Sequence, residues 1–330
     1  MTRPRIAVTR TGLPGSGVQR LSQVADMKIW PDNIGPNAED LVPFLSDVDA
    51  LLAMSQDQIT GELLDTAPAL IAIGQASAGY DNLDLAALSA RNIQASNCPG
   101  VLMDTTADFA WTLILAASRR IVEADAAVRT GDWTSVKFDY LLGQDVGQRT
   151  LGIVGYGQIG KAVARRGVGF GMRILHADPF APSDEVSTQV TLDELFTAAD
   201  VVSLHTVLNE ETAHLINADT LKQMKRSAVL VNASRGQVVD EGALFDALTN
   251  GEIFAAGLDV FELEPAGPSN PLTKLNNVVL APHIASASLA TRGAMVDIAA
   301  ENLIHALAGS TMPNSLTPDV APRQLEQDQQ

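Results

Sequence analysis

The stretch TLGIVGYGQIGKAVARR, residues 150–166, admits few folds. A short apolar run from Leu151 to Val154 reads as a strand, the glycines as a tight turn, and the chain from about Gln158 onward as a helix. Gly155, Gly157 and Gly160 spell GxGxxG, a pattern that gives a sharp turn, a backbone without a β-carbon facing a pyrophosphate, and close packing of helix on strand. The N-terminus of the helix, with its unpaired N–H groups, then faces the anion. Three glycines at this spacing can also make an ordinary turn. A strand before, a helix after and an acidic residue downstream distinguish the two cases, and Asp178, in ILHADP at the end of the next apolar run, is that residue. The stretch is therefore read as a dinucleotide site.

A chain of 330 residues, 46% of them hydrophobic, is too long for one ordinary core, so two domains are expected. The formal net charge of −17 argues against a nucleic-acid partner or an anionic membrane, because phosphate attraction needs clustered Lys and Arg. One cysteine, Cys98, excludes an internal disulfide framework and a multi-cysteine metal site, and no metal is expected. Cys98 itself reads as a small semi-buried side chain. MTRPR runs directly into the strand-like IAVT with no apolar signal core, and no run of membrane-spanning length occurs. A cytoplasmic enzyme is the expectation.

Between residues 5 and 97, short apolar runs (RIAVT, MKIW, VDALLAM, LIAIG, IQASN) alternate with helix-like segments (AEDLVPFLSD, ITGELLDTAP, NLDLAALSAR). Such alternation predicts a parallel sheet with helices on both faces. Within it, Gly79 turns the chain just past a strand, and the N–H groups of Ser77, Ala78 and Gly79 could hold a small anion; a plain strand-to-helix loop fits those residues equally well. Met103 to Arg129 reads as one long helix, the point where the chain crosses between domains. The irregular, aromatic segment 131–148 follows, carrying Trp133, Phe138 and Tyr140, which suit packing within the chain or against a second copy. Six strands are predicted at 151–154, 174–177, 201–204, 228–232, 255–260 and 278–281, as in a doubly wound dinucleotide fold. Residues 287–309 read as a second long helix, and the chain from Pro313 as a flexible or draped extension.

Just beyond three of those strands stand Arg235, Glu264 and His283. In a parallel sheet all strand C-termini share one edge, so the three can converge where the glycine turn holds its cofactor. Singly, each has a plain structural reading: a surface arginine, a turn-starting glutamate, a hydrogen-bonded histidine. Together they suit hydride chemistry on a small acid. Histidine can exchange the hydroxyl proton near neutral pH, a neighbouring carboxylate favours imidazolium and fixes the ring tautomer, and a guanidinium can grip a carboxylate through two N–H groups.

With AGYDNLD, GVLMDTTAD, TLGIVGYGQIGKAVARR, VNASRG, GLDVFELEP and APHIASAS in this order, the sequence resembles the D-isomer-specific 2-hydroxyacid dehydrogenases. The resemblance implies an α/β protein in which a Rossmann doubly wound sheet, residues 101–287, is inserted into a flavodoxin-like substrate domain, residues 1–100 and 288–330, with a cleft between them and a homodimer formed through the cofactor domains. It implies that Arg235 binds and polarises a 2-oxo acid, that Glu264 tunes His283, and that His283 is the acid/base. It further implies a second carboxylate clamp at Ala78 and Gly79, preceded by Ser77, and cofactor contacts from Thr106, Gly155, Gly157, Gln158, Ile159, Gly160, Thr212 and Asp259. Tyr140 corresponds to an aromatic residue that reaches the partner's active site in glyoxylate and hydroxypyruvate reductases.

Ser77, Val207, Ser234 and Ala285 depart from the family's usual glycine, proline, alanine and glycine, which bears on substrate choice rather than on the triad. Asp178-Pro179 stands where NADP-using relatives tend to carry Ser-Arg. A carboxylate accepts ribose hydroxyls and repels a 2′-phosphate, so NAD(H) is expected over NADP(H), with Arg173 and His176 as nearby cations that leave partial NADP(H) use open. The implied activity is reversible hydride transfer between a small 2-oxo acid, such as glyoxylate or hydroxypyruvate, and its (R)-2-hydroxy acid. An NADH-sensing regulatory protein, or a phosphite- or formate-type dehydrogenase, are the alternatives on the same fold.

Overall fold

The computed structural model of the chain describes residues 3–323, which form two compact units. One unit is drawn from both ends of the chain, up to Leu102 and again from Ala287; the other spans Met103–Ser286.

The first unit holds five parallel strands, β1 (Arg5–Val8), β2 (Asp26–Ile29), β3 (Ala50–Ala53), β4 (Ala72–Gln75) and β5 (Gln94–Ser96), in the order β2-β1-β3-β4-β5. That is the flavodoxin-like order. The central strands are largely apolar, β3 (ALLA) wholly so, because both faces are covered. On one face the helix Leu289–Leu307 lays Met295, Val296, Ala299, Ala300, Leu303 and Ala306 over Ile6, Val8, Leu52 and Ala72. On the other, Leu41, Phe44, Leu45, Leu63, Leu64 and Leu88 cover Ala7, Leu51 and Ile73. The helix Gly17–Val24, which the apolar pattern does not announce, packs so tightly on the long helix that a β-carbon at Gly17 would stand 2.5 Å from the Val296 carbonyl. The segment after Pro313 is draped rather than loose as far as it is described: Leu316 N donates to Ala95 O, Ala95 N donates to Thr317 Oγ1, and Val320 is buried. The terminal Gln324–Gln330 part of that expected extension lies outside the described residues.

The second unit is a seven-stranded parallel sheet: β6 (Thr150–Val154), β7 (Arg173–Ala177), β8 (Thr188–Gln189), β9 (Val201–Leu204), β10 (Val229–Asn232), β11 (Ala255–Leu258) and β12 (Val278–Leu280), in the order β12-β11-β10-β9-β6-β7-β8. This is the doubly wound arrangement with one strand more than the six expected. The addition, β8, is a two-residue edge strand of exposed polar residues, too short and too polar to register as an apolar run. Two cores sandwich the sheet, one built on Leu195, Phe196, Leu221 and Leu244, the other on Ala110, Trp111, Ile114 and Val163. From β6 the chain winds outward to β7 and then returns to β9 on the other side, so the crevice at a switch point opens at the C-terminal end of β6.

The single long helix expected over 103–129 is two, Met103–Ser118 and Ile121–Thr130. Arg120 between them is left-handed (φ 53°) and grips Glu123 through Nε and Nη2 at 2.9 and 2.7 Å. The Ser118 carbonyl leaves the helix ladder and accepts Gln144 N at 2.8 Å, with Gly143 pressed against it. Apolar periodicity runs through this break and cannot reveal it. No residue of the second helix is buried, and Ile121, Val122 and Val128 are exposed together with Trp133, Val136, Phe138 and Leu142 of the loop that follows.

Candidate active site

The glycine turn stands at that switch point. Gly155, at the end of β6, has φ 88°, and a β-carbon there would lie 2.6 Å from the His205 carbonyl, so both conformation and space demand glycine. A β-carbon at Gly160 would lie 2.2 Å from the Gly155 carbonyl, which is how the helix Gln158–Gly169 comes to sit close on the strand. Gly157 differs: nothing lies within 4 Å of its missing β-carbon, and as the N-cap residue it offers no side chain to the helix N–H groups. Open space in front of Gln158 and Ile159 is what a pyrophosphate requires. Asp178, one residue past β7, accepts hydrogen bonds from Tyr156 N and Phe180 N, each at 2.8 Å, and is thereby held beside the turn. The residues present thus fit a dinucleotide.

The structure places the two cations expected near Asp178 differently. His176 is fully buried, stacked on Tyr156 at 4.0 Å, with its ring nitrogens on Ser187 Oγ and Ala181 O. Arg173 is exposed at the opposite, N-terminal end of β7, roughly 16 Å of strand from Asp178.

Arg235, Glu264 and His283 follow β10, β11 and β12 on the same edge. Asn232 shapes the turn after β10: its Oδ1 accepts Ser234 N and Oγ, and its Nδ2 donates to Arg235 O. The turn presses on the next one, since a β-carbon at Gly236 would fall 1.8 Å from the Phe261 carbonyl carbon. That brings Arg235 near enough for its charge to act on Glu264. Arg235 Nη1 donates to Ser234 O at 2.8 Å.

His283 is left-handed (φ 54°), its N–H bound to Asp259 O at 2.8 Å. The resemblance implies a cofactor contact for Asp259; in the structure its two carboxylate oxygens accept Ile284 N and Ala285 N, each at 2.7 Å, and so fix the loop that carries His283. Burial raises the Asp259 carboxyl above its usual range, against these N–H groups, which favour the charged form. His283 Nδ1 lies 2.7 Å from Glu264 Oε2, and Glu264 Oε1 accepts Phe261 N at 3.0 Å. Burial alone would raise the Glu264 carboxyl, but the His283 hydrogen bond and charge, the Phe261 N–H and the Arg235 charge outweigh it, and the carboxyl is held below its usual range. An ionised Glu264 only accepts, so Nδ1 carries the hydrogen and Nε2 is left to exchange a proton. Nε2 has no partner among the described residues.

Thr106 is buried in the first turn of the helix Met103–Ser118, and the Thr212 hydroxyl is tied into its own loop, donating to Val207 O and accepting Asn209 N. Tyr140 lies on the exposed loop near Arg120. Ser77, Ala78 and Gly79 belong to the other unit, just after β4. One further imidazole at the β9 end, His205, bonds Ser203 Oγ through Nε2 at 2.8 Å, while its Nδ1 is sealed without a partner among the described residues; burial pushes its pKa down to about 4. Among the described residues no cluster of His, Cys, Asp and Glu could hold a metal, and no helix is long and apolar enough to cross a membrane.

A doubly wound sheet with a dinucleotide turn and an Arg, Glu, His set at one edge defines a nicotinamide-dependent oxidoreductase. The profile of the D-isomer specific 2-hydroxyacid dehydrogenase NAD-binding domain matches residues 111–285. A glyoxylate reductase of Korarchaeum cryptofilum is 47% identical, over 96% of this chain and 97% of its own length, and one of Aeropyrum pernix is 42% identical over 97% and 98%. Among solved structures, a Thermus thermophilus protein superposes with a TM-score of 0.90 at 41% identity, covering 94% of this chain and 99% of its own. An NADPH-dependent glyoxylate/hydroxypyruvate reductase of Sinorhizobium meliloti does so with a TM-score of 0.82 at 32% identity, covering 96% and 99%. The chain belongs to the D-isomer specific 2-hydroxyacid dehydrogenase family.

Proposed function

We propose that this chain reversibly reduces a small 2-oxo acid, glyoxylate or hydroxypyruvate, to its (R)-2-hydroxy acid, with NAD(H) preferred over NADP(H). The observation that carries the reading is the 2.7 Å pair of His283 Nδ1 and ionised Glu264, with Nε2 left for proton exchange at the edge that carries the glycine turn. When bound, the nicotinamide supplies the hydride. The Gly155–Gly160 turn and the N–H groups at Gln158 and Ile159 hold the pyrophosphate, Asp178 accepts the ribose hydroxyls, and Thr106 and Thr212 flank the cofactor. Arg235 grips the substrate carboxylate and draws charge onto the 2-oxo oxygen. His283 Nε2 delivers the proton to that oxygen in reduction and removes it in oxidation, while Glu264 stabilises the imidazolium at Nδ1. Asp259 keeps the His283 loop in place. Ala78 and Gly79 N–H, behind Ser77, hold the substrate carboxylate as well, which makes the first unit the substrate domain.

Asp178 supports the cofactor preference, since a fixed carboxylate beside the turn meets a 2′-phosphate with like charge. The exposed apolar row Ile121, Val122, Val128, Trp133, Val136 and Phe138 supports a homodimer through the second unit, with Tyr140 on the same loop. An acidic chain of this class fits a cytoplasmic enzyme. Rates of NADH and NADPH oxidation with glyoxylate, hydroxypyruvate, pyruvate, 2-ketogluconate and phenylpyruvate test the reading. Turnover of the first two with NADH is expected, and binding of NADH without turnover of any of the five would overturn it.

A further inference from the structure

The loop after β4 has a distinctive division of its peptide groups. Ser77 O accepts Cys98 N at 2.9 Å, Ala78 O accepts Asn97 Nδ2 at 2.7 Å, and Gly79 O accepts both Gln75 Nε2 and Ser77 Oγ at 2.6 Å. Three successive carbonyls are thus held by the protein. The N–H groups of Ala78 and Gly79 have no acceptor among the described residues, and both residues are half-exposed. The Ser77 carbonyl shares its peptide with Ala78 N–H and the Ala78 carbonyl shares its peptide with Gly79 N–H, so anchoring these two carbonyls fixes both N–H groups as a small anion receptor; the Gly79 carbonyl belongs to the next peptide, that of Tyr80 N–H, where the loop leaves the receptor.

The anchors are themselves locked. Gln75, at the end of β4, also donates to Asn82 Oδ1 at 2.9 Å, and Asn82 Nδ2 returns the bond to Gln75 Oε1 at 2.9 Å while reaching Asp57 O at 2.7 Å. Gln75, Asn82 and Asn97 are buried, where an amide left unpaired would be costly, so the network holds as a unit. None of these three side chains is needed to fill apolar space: each is a primary amide whose donor ends on the loop or on its neighbour in the network.

We propose that Asn97 is a positioning residue that sets the affinity for the substrate carboxylate by pinning the Ala78 carbonyl inward and with it the Gly79 N–H, while Gln75, Asn82 and the Ser77 hydroxyl hold only the following peptide, that of Gly79 O and Tyr80 N–H. The proposal rests on the assignment of Ala78 and Gly79 N–H to the substrate carboxylate. It makes the positions unequal. Ala78 O, held by Asn97, carries the Gly79 N–H of the receptor, whereas Gly79 O, held by Gln75 and Ser77, carries Tyr80 N–H outside it.

The test is steady-state kinetics on Asn97→Ala and Ser77→Ala, with oxamate as a competitive probe of the carboxylate site, NADH affinity by fluorescence and thermal unfolding as a control. Asn97→Ala is expected to raise KM for glyoxylate and Ki for oxamate by about tenfold, with kcat and NADH affinity within twofold of wild type. Ser77→Ala is expected to raise both by no more than about threefold, because the Gly79 carbonyl that its hydroxyl holds shares a peptide with neither receptor N–H. Asn97→Ser, which can restore a donor, recovers part of the loss. Unchanged KM and Ki in Asn97→Ala, or a parallel fall in kcat, NADH affinity and thermal stability, would overturn the positioning role. Wild-type enzyme that oxidises NADH with glyoxylate but is indifferent to oxamate would instead overturn the carboxylate assignment beneath it.

Discussion

Glu264→Gln isolates the part of the site that depends on charge. Glu264 accepts from two donors, His283 Nδ1 at 2.7 Å and Phe261 N at 3.0 Å. An amide has one acceptor oxygen, so one of the two donors must face the NH2 group or the ring must change tautomer. The charge-assisted bond to His283 is worth about 1.5–3 kcal/mol, and both side chains keep about a third of their surface, which places the loss toward the lower end, about 2 kcal/mol. That corresponds to roughly a 30-fold fall in kcat/KM for reduction. Reduction takes its proton from the His283–Glu264 pair and oxidation returns it there, and because the equilibrium constant at a given pH is fixed, both directions lose the same factor in kcat/KM as long as NADH and NAD+ binding is unchanged. Initial rates of NADH consumption with glyoxylate, taken from neutral to alkaline pH and paired with NADH binding by fluorescence, measure the loss. A deficit below twofold, or one matched by an equal loss of NADH affinity, would refute the reasoning.

Asp178→Ser combined with Pro179→Arg removes the like charge and adds a cation beside the turn; the ratio of kcat/KM for NADPH over NADH should rise by about tenfold or more, and an unchanged ratio would discard Asp178 as the determinant. His205 gives an acid-stability signature: its folded pKa, about 4, lies below the unfolded value, so the unfolded chain takes up a proton first and stability falls as pH drops through that window. About 2 kcal/mol should be lost between pH ~7 and pH ~5, read from urea midpoints, and His205→Gln should abolish that slope. Phe138 is fully exposed, so Phe138→Asp should leave the fold intact while shifting the mass in solution from dimer toward monomer; light scattering that shows a wild-type monomer would remove the dimer assignment.

The strand pattern was legible because the central strands are buried on both faces and therefore read as mainly apolar runs, as in ALLA of β3 and AAGL of β11. The glycine turn was legible for a related reason: backbone demands at Gly155 and Gly160 exclude every side chain. What periodicity could not show was local diversion of backbone bonds. Arg120 breaks a helix whose apolar stripe continues, and β8 pairs through two exposed polar residues. Polar residues that serve other residues were also hidden. Asp259, for which the family pattern implies a cofactor contact, braces the His283 loop, and His176, a nearby cation by sequence, is locked between Tyr156, Ser187 and Ala181. Gln75, Asn82 and Asn97 carried only a faint signal, amides at the end of or just beyond apolar strands, and their meaning comes from contacts spread over residues 57–98.

The central claim is that His283 moves the proton while the rest of the second unit holds the cofactor, and His283→Gln with glyoxylate and NADH tests it most directly. The variant is expected to lose about 10²–10⁴-fold in kcat, the usual contribution of a general acid, with NADH binding unchanged. Retention of more than about a tenth of the wild-type rate would contradict the account.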